Sequence, residues 1–64
     1  MSYQIEKTIH FNTDDLVVYF QKLTDNHNVI WTQESEEGKT FSRKSDALAQ
    51  ASLIPEDTTV VKND

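Results

Sequence analysis

The stretch Asn12-Thr13-Asp14-Asp15-Leu16-Val17-Val18-Tyr19-Phe20-Gln21-Lys22-Leu23-Thr24-Asp25 decides how the rest of the chain must be arranged. Leu16, Tyr19, Phe20 and Leu23 stand at i, i+3, i+4 and i+7, the spacing of one apolar stripe on an α-helix, and Val17 and Val18 widen it. Asn12 or Thr13 can cap free backbone N–H groups, and Asp14 and Asp15 suit the positive end of the helix dipole. Asn26-His27-Asn28 follows as a stop, because asparagine tolerates the left-handed backbone that helix ends often adopt. The spacing therefore predicts a first helix running to about Asp25, with His27 in the loop that ends it.

Outward from this helix the chain reads as short strands. Residues 3–11 alternate, with Tyr3, Ile5, Ile9 and Phe11 on one face and Gln4, Glu6, Thr8 and His10 on the other. Lys7 is the exception on the apolar face. Beyond the helix, Val29-Ile30-Trp31-Thr32-Gln33 is β-branched and aromatic, a strand. Glu34-Ser35-Glu36-Glu37-Gly38-Lys39 reads as a turn in which Gly38, the only glycine, would supply a positive φ. Thr40-Phe41-Ser42-Arg43 returns as a short strand and closes a hairpin. Ser45 caps a second helix with Asp46 in its first turn. Ala47, Leu48, Ala51 and Ile54 form its narrow apolar stripe, and Pro55 stops it. Asp57-Thr58-Thr59-Val60-Val61-Lys62 is a last strand, and Asn63-Asp64 a frayed tail.

Strand-helix-strand-strand-helix-strand (βαββαβ) is the order of the ferredoxin-like split βαβ arrangement. It predicts one α+β domain over residues 1–64. The architecture would be a two-layer sandwich, with a four-stranded antiparallel sheet and two helices on one face. The first and third strands would be central. A rival arrangement leaves the last strand unpaired or exchanged with a second copy.

At 64 residues the chain is a single domain that buries only about 60% of the surface its unfolded form exposes. It has no cysteine, so neither disulfides nor thiolate metal sites can staple it, and a reducing compartment such as the cytoplasm is the expectation. The longest apolar run, Leu16 to Phe20, is far short of a membrane span, and the N-terminus lacks the pattern of a signal peptide. The net charge of −5 disfavours nucleic acid as a partner and suits a basic patch on a protein. Glu34, Glu36 and Glu37 fall together, followed by Lys39, Arg43 and Lys44. Those cations are the one place where a nucleic acid could be held.

No constellation carries chemistry. Gly38-Lys39-Thr40 resembles the end of a phosphate-binding loop, but the glycine required five residues earlier is Gln33, and the glutamates would repel phosphate. Asp14 and Asp15 read as helix-start residues rather than as an acid/base pair. His10 lies on the polar face and could neighbour Ser42, yet a Ser-His pair also needs an orienting acid, an oxyanion hole and a cleft. Phe41 and Tyr3 fall where RNA-recognition modules of this shape stack bases, without the basic and glycine-rich signature around them. Metal-carrier domains of the same shape use paired cysteines. Neither family is matched at motif level, and no cofactor is expected.

The expectation is therefore a small acidic protein that is not an enzyme. It would dock on a larger protein as an inhibitor, adaptor or accessory factor of the kind bacteria and phages use, in the cytoplasm, or the host's if viral. Val29, Ile30 and Trp31 are consecutive, so both faces of that strand carry apolar groups. If it is an edge strand, one of those groups is incompletely covered, and tryptophan is enriched at binding hot spots. The expected contact residues are Ile30, Trp31, Thr32, Glu34, Glu36, Glu37 and Lys39. The alternatives are a self-associating homodimer, a mimic of DNA phosphates built on the acidic run, and nucleic-acid binding through the Lys39–Lys44 cations.

Overall fold

The computed structural model describes residues 2–63. Three strands come first, β1 (Ser2–Phe11), β2 (Asp14–Leu23) and β3 (Val29–Thr32). A 3-10 turn at Ser35–Glu37, helix α1 (Lys44–Ala51) and strand β4 (Thr59–Asn63) complete the chain. All neighbours in the sheet are antiparallel, in the order β3-β2-β1-β4. Among the described residues this is an α+β arrangement with one helix and a 3-10 turn.

The predicted first helix is a correction: its residues form β2, a central strand. A two-residue loop, Asn12-Thr13, joins β1 to β2, with Phe11 opposite Asp14 and Asn12 at φ 53°. Positive φ at the first loop residue matches the twist of tight hairpins, and asparagine accepts it at low cost. Along β2, Leu16, Val18 and Phe20 share one face. The register then shifts between Phe20 and Lys22, so that Leu23 opposite Val29 joins the same face. That bulge makes a strand look helical, because residues 16, 20 and 23 coincide with a helical stripe. Val17 and Tyr19 point to the other face, so the alternation is hidden in a run of five apolar residues. The β-branched and aromatic run and pairing on both sides hold the segment extended.

Several finer expectations change with it. β1 and β2 are central, rather than the predicted first and third strands, since β1-β2-β3 is a meander and only the connection through α1 crosses to the far side of β1. The second predicted helix is α1, but Arg43 precedes it and Ser45 makes no cap hydrogen bond. Residues 40–43 form no hairpin with β3. Phe41 alone bridges to Tyr3, each backbone N–H donating to the other's carbonyl at 2.8 Å.

This bridge lies where β1 and β2 part. Their pairing stops at Glu6 opposite Tyr19, and the chain from Gly38 to Phe41 fills the gap beyond, with the Lys39 N–H donating to the Phe20 carbonyl at 2.9 Å. Gly38 has φ −73°, so the predicted positive φ is not why glycine is there. A Cβ would stand 2.7 Å from Gln4 Nε2 and 3.0 Å from Tyr19 Cβ, and only a bare backbone fits.

The core lies between one sheet face and the helical layer. Ile5, Phe20, Phe41, Ala47 and Ile54 are buried together, with Tyr3, Leu23, Val29, Trp31, Ala51 and Val60 packed around them. On the opposite face the 3-10 turn covers Gln4, which is fully buried. Its Nε2 donates to the Ser35 carbonyl at 2.6 Å, and its Oε1 accepts from the Asn63 side chain. Asn63, expected to fray, is thereby tied into β4; Asp64 lies outside the described residues.

Candidate functional site

The seven expected contact residues do not form one surface. Trp31 is on the core face of edge strand β3, its ring edge-on to Phe20 at a centroid separation of 6.3 Å. Ile30 points to the opposite face, and Ile30, Trp31 and Thr32 are all half-buried. Glu34, Glu36 and Glu37 are exposed around the 3-10 turn, away from the Trp31 face. Lys39 sits in the crossing segment with its Nζ 5.6 Å from the Phe41 ring centroid.

Lys7 explains how a cation lives on the apolar face. Its ammonium pairs with Glu56 and stands 4.7 Å from the centroid of the Trp31 ring. Its stem lies beside Val18, its register partner, which is buried. One lysine thus ties β1, β3 and the segment after Pro55 together.

Beyond Lys7 the molecule offers a surface the pattern of residues did not distinguish from core. β4 pairs with β1 only as far as Glu6, and β3 pairs with β2 only from Tyr19. Residues 7–11 and 14–18 therefore run on as a two-stranded arm. On its core face Ile9 is 37% and Phe11 48% exposed, with Leu16 half-buried beside them; on the other face Val17 is 39% exposed. In the sequence Ile9 and Phe11 alternate just as Tyr3 and Ile5 do, so nothing local reveals that α1 stops short of them.

The arm also leaves backbone unpaired. Tyr3 exchanges its hydrogen bonds with Phe41 on the β2 side, and successive residues of an antiparallel strand turn their N–H and C=O to opposite sides. The even-numbered residues of β1 therefore face the β4 side. Past Glu6, among the described residues, no strand meets Thr8 and His10. An open cleft of about 280 Å³ runs there, bounded by Glu6, Lys7, Thr8, His10 and the Asp57–Thr59 segment, with the Lys7 ammonium taken up by Glu56. His10 Nδ1 lies 2.6 Å from Asp15 Oδ1 across the arm, whereas among the described residues Glu6 and Asp57 have no ion-pair partner.

Ser42, the expected neighbour of His10, instead follows the Phe41–Tyr3 bridge at the other end of β1, and Asp15 takes its place. Phe41 is core rather than a stacking platform. The Arg43 guanidinium lies 3.8 Å from the Asp46 carboxylate. Among the described residues no three His, Cys, Asp or Glu side chains are grouped to hold a metal, and no helix is long and apolar enough to cross a membrane. Compared with protein-family models, curated proteins and solved structures, the chain gives no significant match.

Proposed function

We propose that this chain is a protein-binding module without catalytic activity, and that it docks on a basic surface of a larger protein through the β1–β2 arm. Its role would be that of an inhibitor, adaptor or accessory factor, in a reducing compartment such as the cytoplasm. The observation that carries this reading is the cluster of Ile9 and Phe11, with Leu16 beside them, on a face that neither α1 nor the 3-10 turn covers. Exposed apolar surface costs solubility and stability, and its retention on one projecting element marks an interaction surface. The charge of the partner follows from the arm. Lys7 and His10 are already engaged by Glu56 and Asp15, and Asp14, Glu6 and Asp57 remain as anions.

A second surface is favoured by the exposed carboxylates of Glu34, Glu36 and Glu37 around the 3-10 turn. The two are separated by affinity capture from a lysate of the source cell. Wild type is run beside an Ile9→Ser/Phe11→Ser variant and a Glu34→Lys/Glu36→Lys/Glu37→Lys variant, each first shown to be folded by Trp31 fluorescence. A stoichiometric protein lost with the arm variant alone is the expected result. Loss with the glutamate variant alone moves the site to the 3-10 turn. If wild type retains nothing, docking on another protein is wrong, and a doubled mass by light scattering would replace it with self-association.

A further inference from the structure

We infer that the free edge of β1 takes up an extended segment of the partner, alternating basic and apolar residues, as an added strand along Thr8–His10. This rests on the docking reading above and adds the partner's conformation and chemistry. Three features converge on it. The outward N–H and C=O groups of Thr8 and His10 have no strand opposite them, and the open cleft beside them has room for a chain. Main-chain pairing to such an edge is a general mode of peptide recognition. Natural edges are usually blunted by lysine, proline or a bulge; here the outward-facing residues are Thr8 and His10, the Lys7 ammonium is held by Glu56 and the Trp31 ring, and no bulge interrupts the pairing of residues 6–11 with β2.

The two faces of the arm then dictate the side chains. An added strand places every second side chain beside Ile9 and Phe11, where an apolar group extends the exposed patch. The intervening side chains fall on the face of Glu6, Thr8 and His10, close to Asp57, where a Lys or Arg meets two unpaired carboxylates. The outer edge of β2 is less suited, because Asp15 there is already engaged by His10. A second copy is also disfavoured. Two arms paired antiparallel about Ile9 would put Asn12 of the second copy opposite Glu6, where Thr59 already sits, and would bring acidic arms together.

The test is an NMR titration of the whole chain with a synthetic peptide of alternating Lys and Val, about eight residues long, at low salt. A peptide of alternating Glu and Val is the control. The expected result is saturable binding of the Lys-Val peptide, with the fast-exchanging Thr8 and His10 amides becoming protected. Thr8→Pro removes an N–H that the fold does not use, at a position where an edge strand tolerates proline, and should weaken binding at least about tenfold. Asp57→Lys keeps the backbone and should weaken it by about three- to tenfold, so the inference can fail even if Thr8→Pro does not fold. No binding, equal binding of the Glu-Val peptide, or saturation without protection of Thr8 and His10 would each overturn it. Protection of these amides in the peptide-free protein, with a doubled mass, would assign the edge to a second copy instead. A captured partner that needs Ile9 and Phe11 but tolerates Thr8→Pro would leave the docking reading standing and overturn strand addition alone.

Discussion

Gly38, Gln4 and Lys7 hold this small molecule together, each for a different physical reason. Gly38 is required by contact, since an added Cβ would meet Gln4 Nε2 at 2.7 Å and the Ser35 carbonyl at 3.4 Å. Gly38→Ala should therefore cost about 1–3 kcal/mol in a urea melt, the range of overpacked sites. A neutral result would mean that the 3-10 turn can lift off the sheet without loss. Gln4 is a buried amide whose satisfaction depends on Ser35 and Asn63. Gln4→Leu keeps the volume but leaves the Asn63 side-chain amide without its partner and the Ser35 carbonyl with the Gly38 N–H alone, and should cost about 1–3 kcal/mol in the same melt. Lys7 works through its stem as well as its charge. Lys7→Met should cost less than about 1 kcal/mol, the range of partly exposed ion pairs. Lys7→Ala should cost more and shift Trp31 emission to longer wavelength, because it uncovers the indole and Val18. Equal effects of the two substitutions would mean that the Glu56 pair is the whole contribution.

Between these residues and the whole lies the hairpin β1–β2, the element most open to test. Its register makes an alternating forecast for hydrogen exchange. The amides of Ile9, Leu16 and Val18 point across the hairpin and should be protected, and those of Thr8, His10, Asp15 and Val17 point outward and should exchange quickly. Protection of Val17 with fast exchange at Ile9 and Leu16 would instead restore the helix that the spacing suggests. β1 was legible because it is covered differently on its two faces, and even the anomaly at Lys7 marked a real contact. β2 was not legible. A central strand with apolar groups on both faces loses its period of two, and the bulge at Phe20–Lys22 re-phases Leu23 onto a helical position. α1 could be found from its small apolar residues and the later Pro55, although the cap expected at Ser45 is absent. The candidate surface was legible in part. Trp31 does sit on an edge strand, but its ring is spent on Phe20 and Lys7, and the exposure of Ile9 and Phe11 depends on where α1 ends above the sheet, a distance no local pattern encodes.

For the molecule as a whole, charge and size act together. It carries a net charge of −5 on a body with a radius of gyration of 11.5 Å and extents of 35 × 31 × 19 Å. At about 0.01 M ionic strength the screening length is about 30 Å, so nearly every carboxylate repels every other; at about 0.1 M it falls to about 10 Å. The ion pairs among the described residues are Lys7–Glu56 and Arg43–Asp46, and the second is well exposed, so little attraction is lost to salt. Self-repulsion should therefore dominate, and raising sodium chloride from about 10 to about 300 mM should raise the melting temperature by about 2–6 °C, a gain of under about 1 kcal/mol. The same salt should weaken binding of the Lys-Val peptide, because there the charges attract. Opposite signs from one variable separate the two effects within a single titration series. A melting temperature that falls with salt would mean that the ion pairs outweigh the acidic surplus. If it rises with protein concentration as well, the stabilising partner of the arm is a second copy of this chain rather than a basic segment.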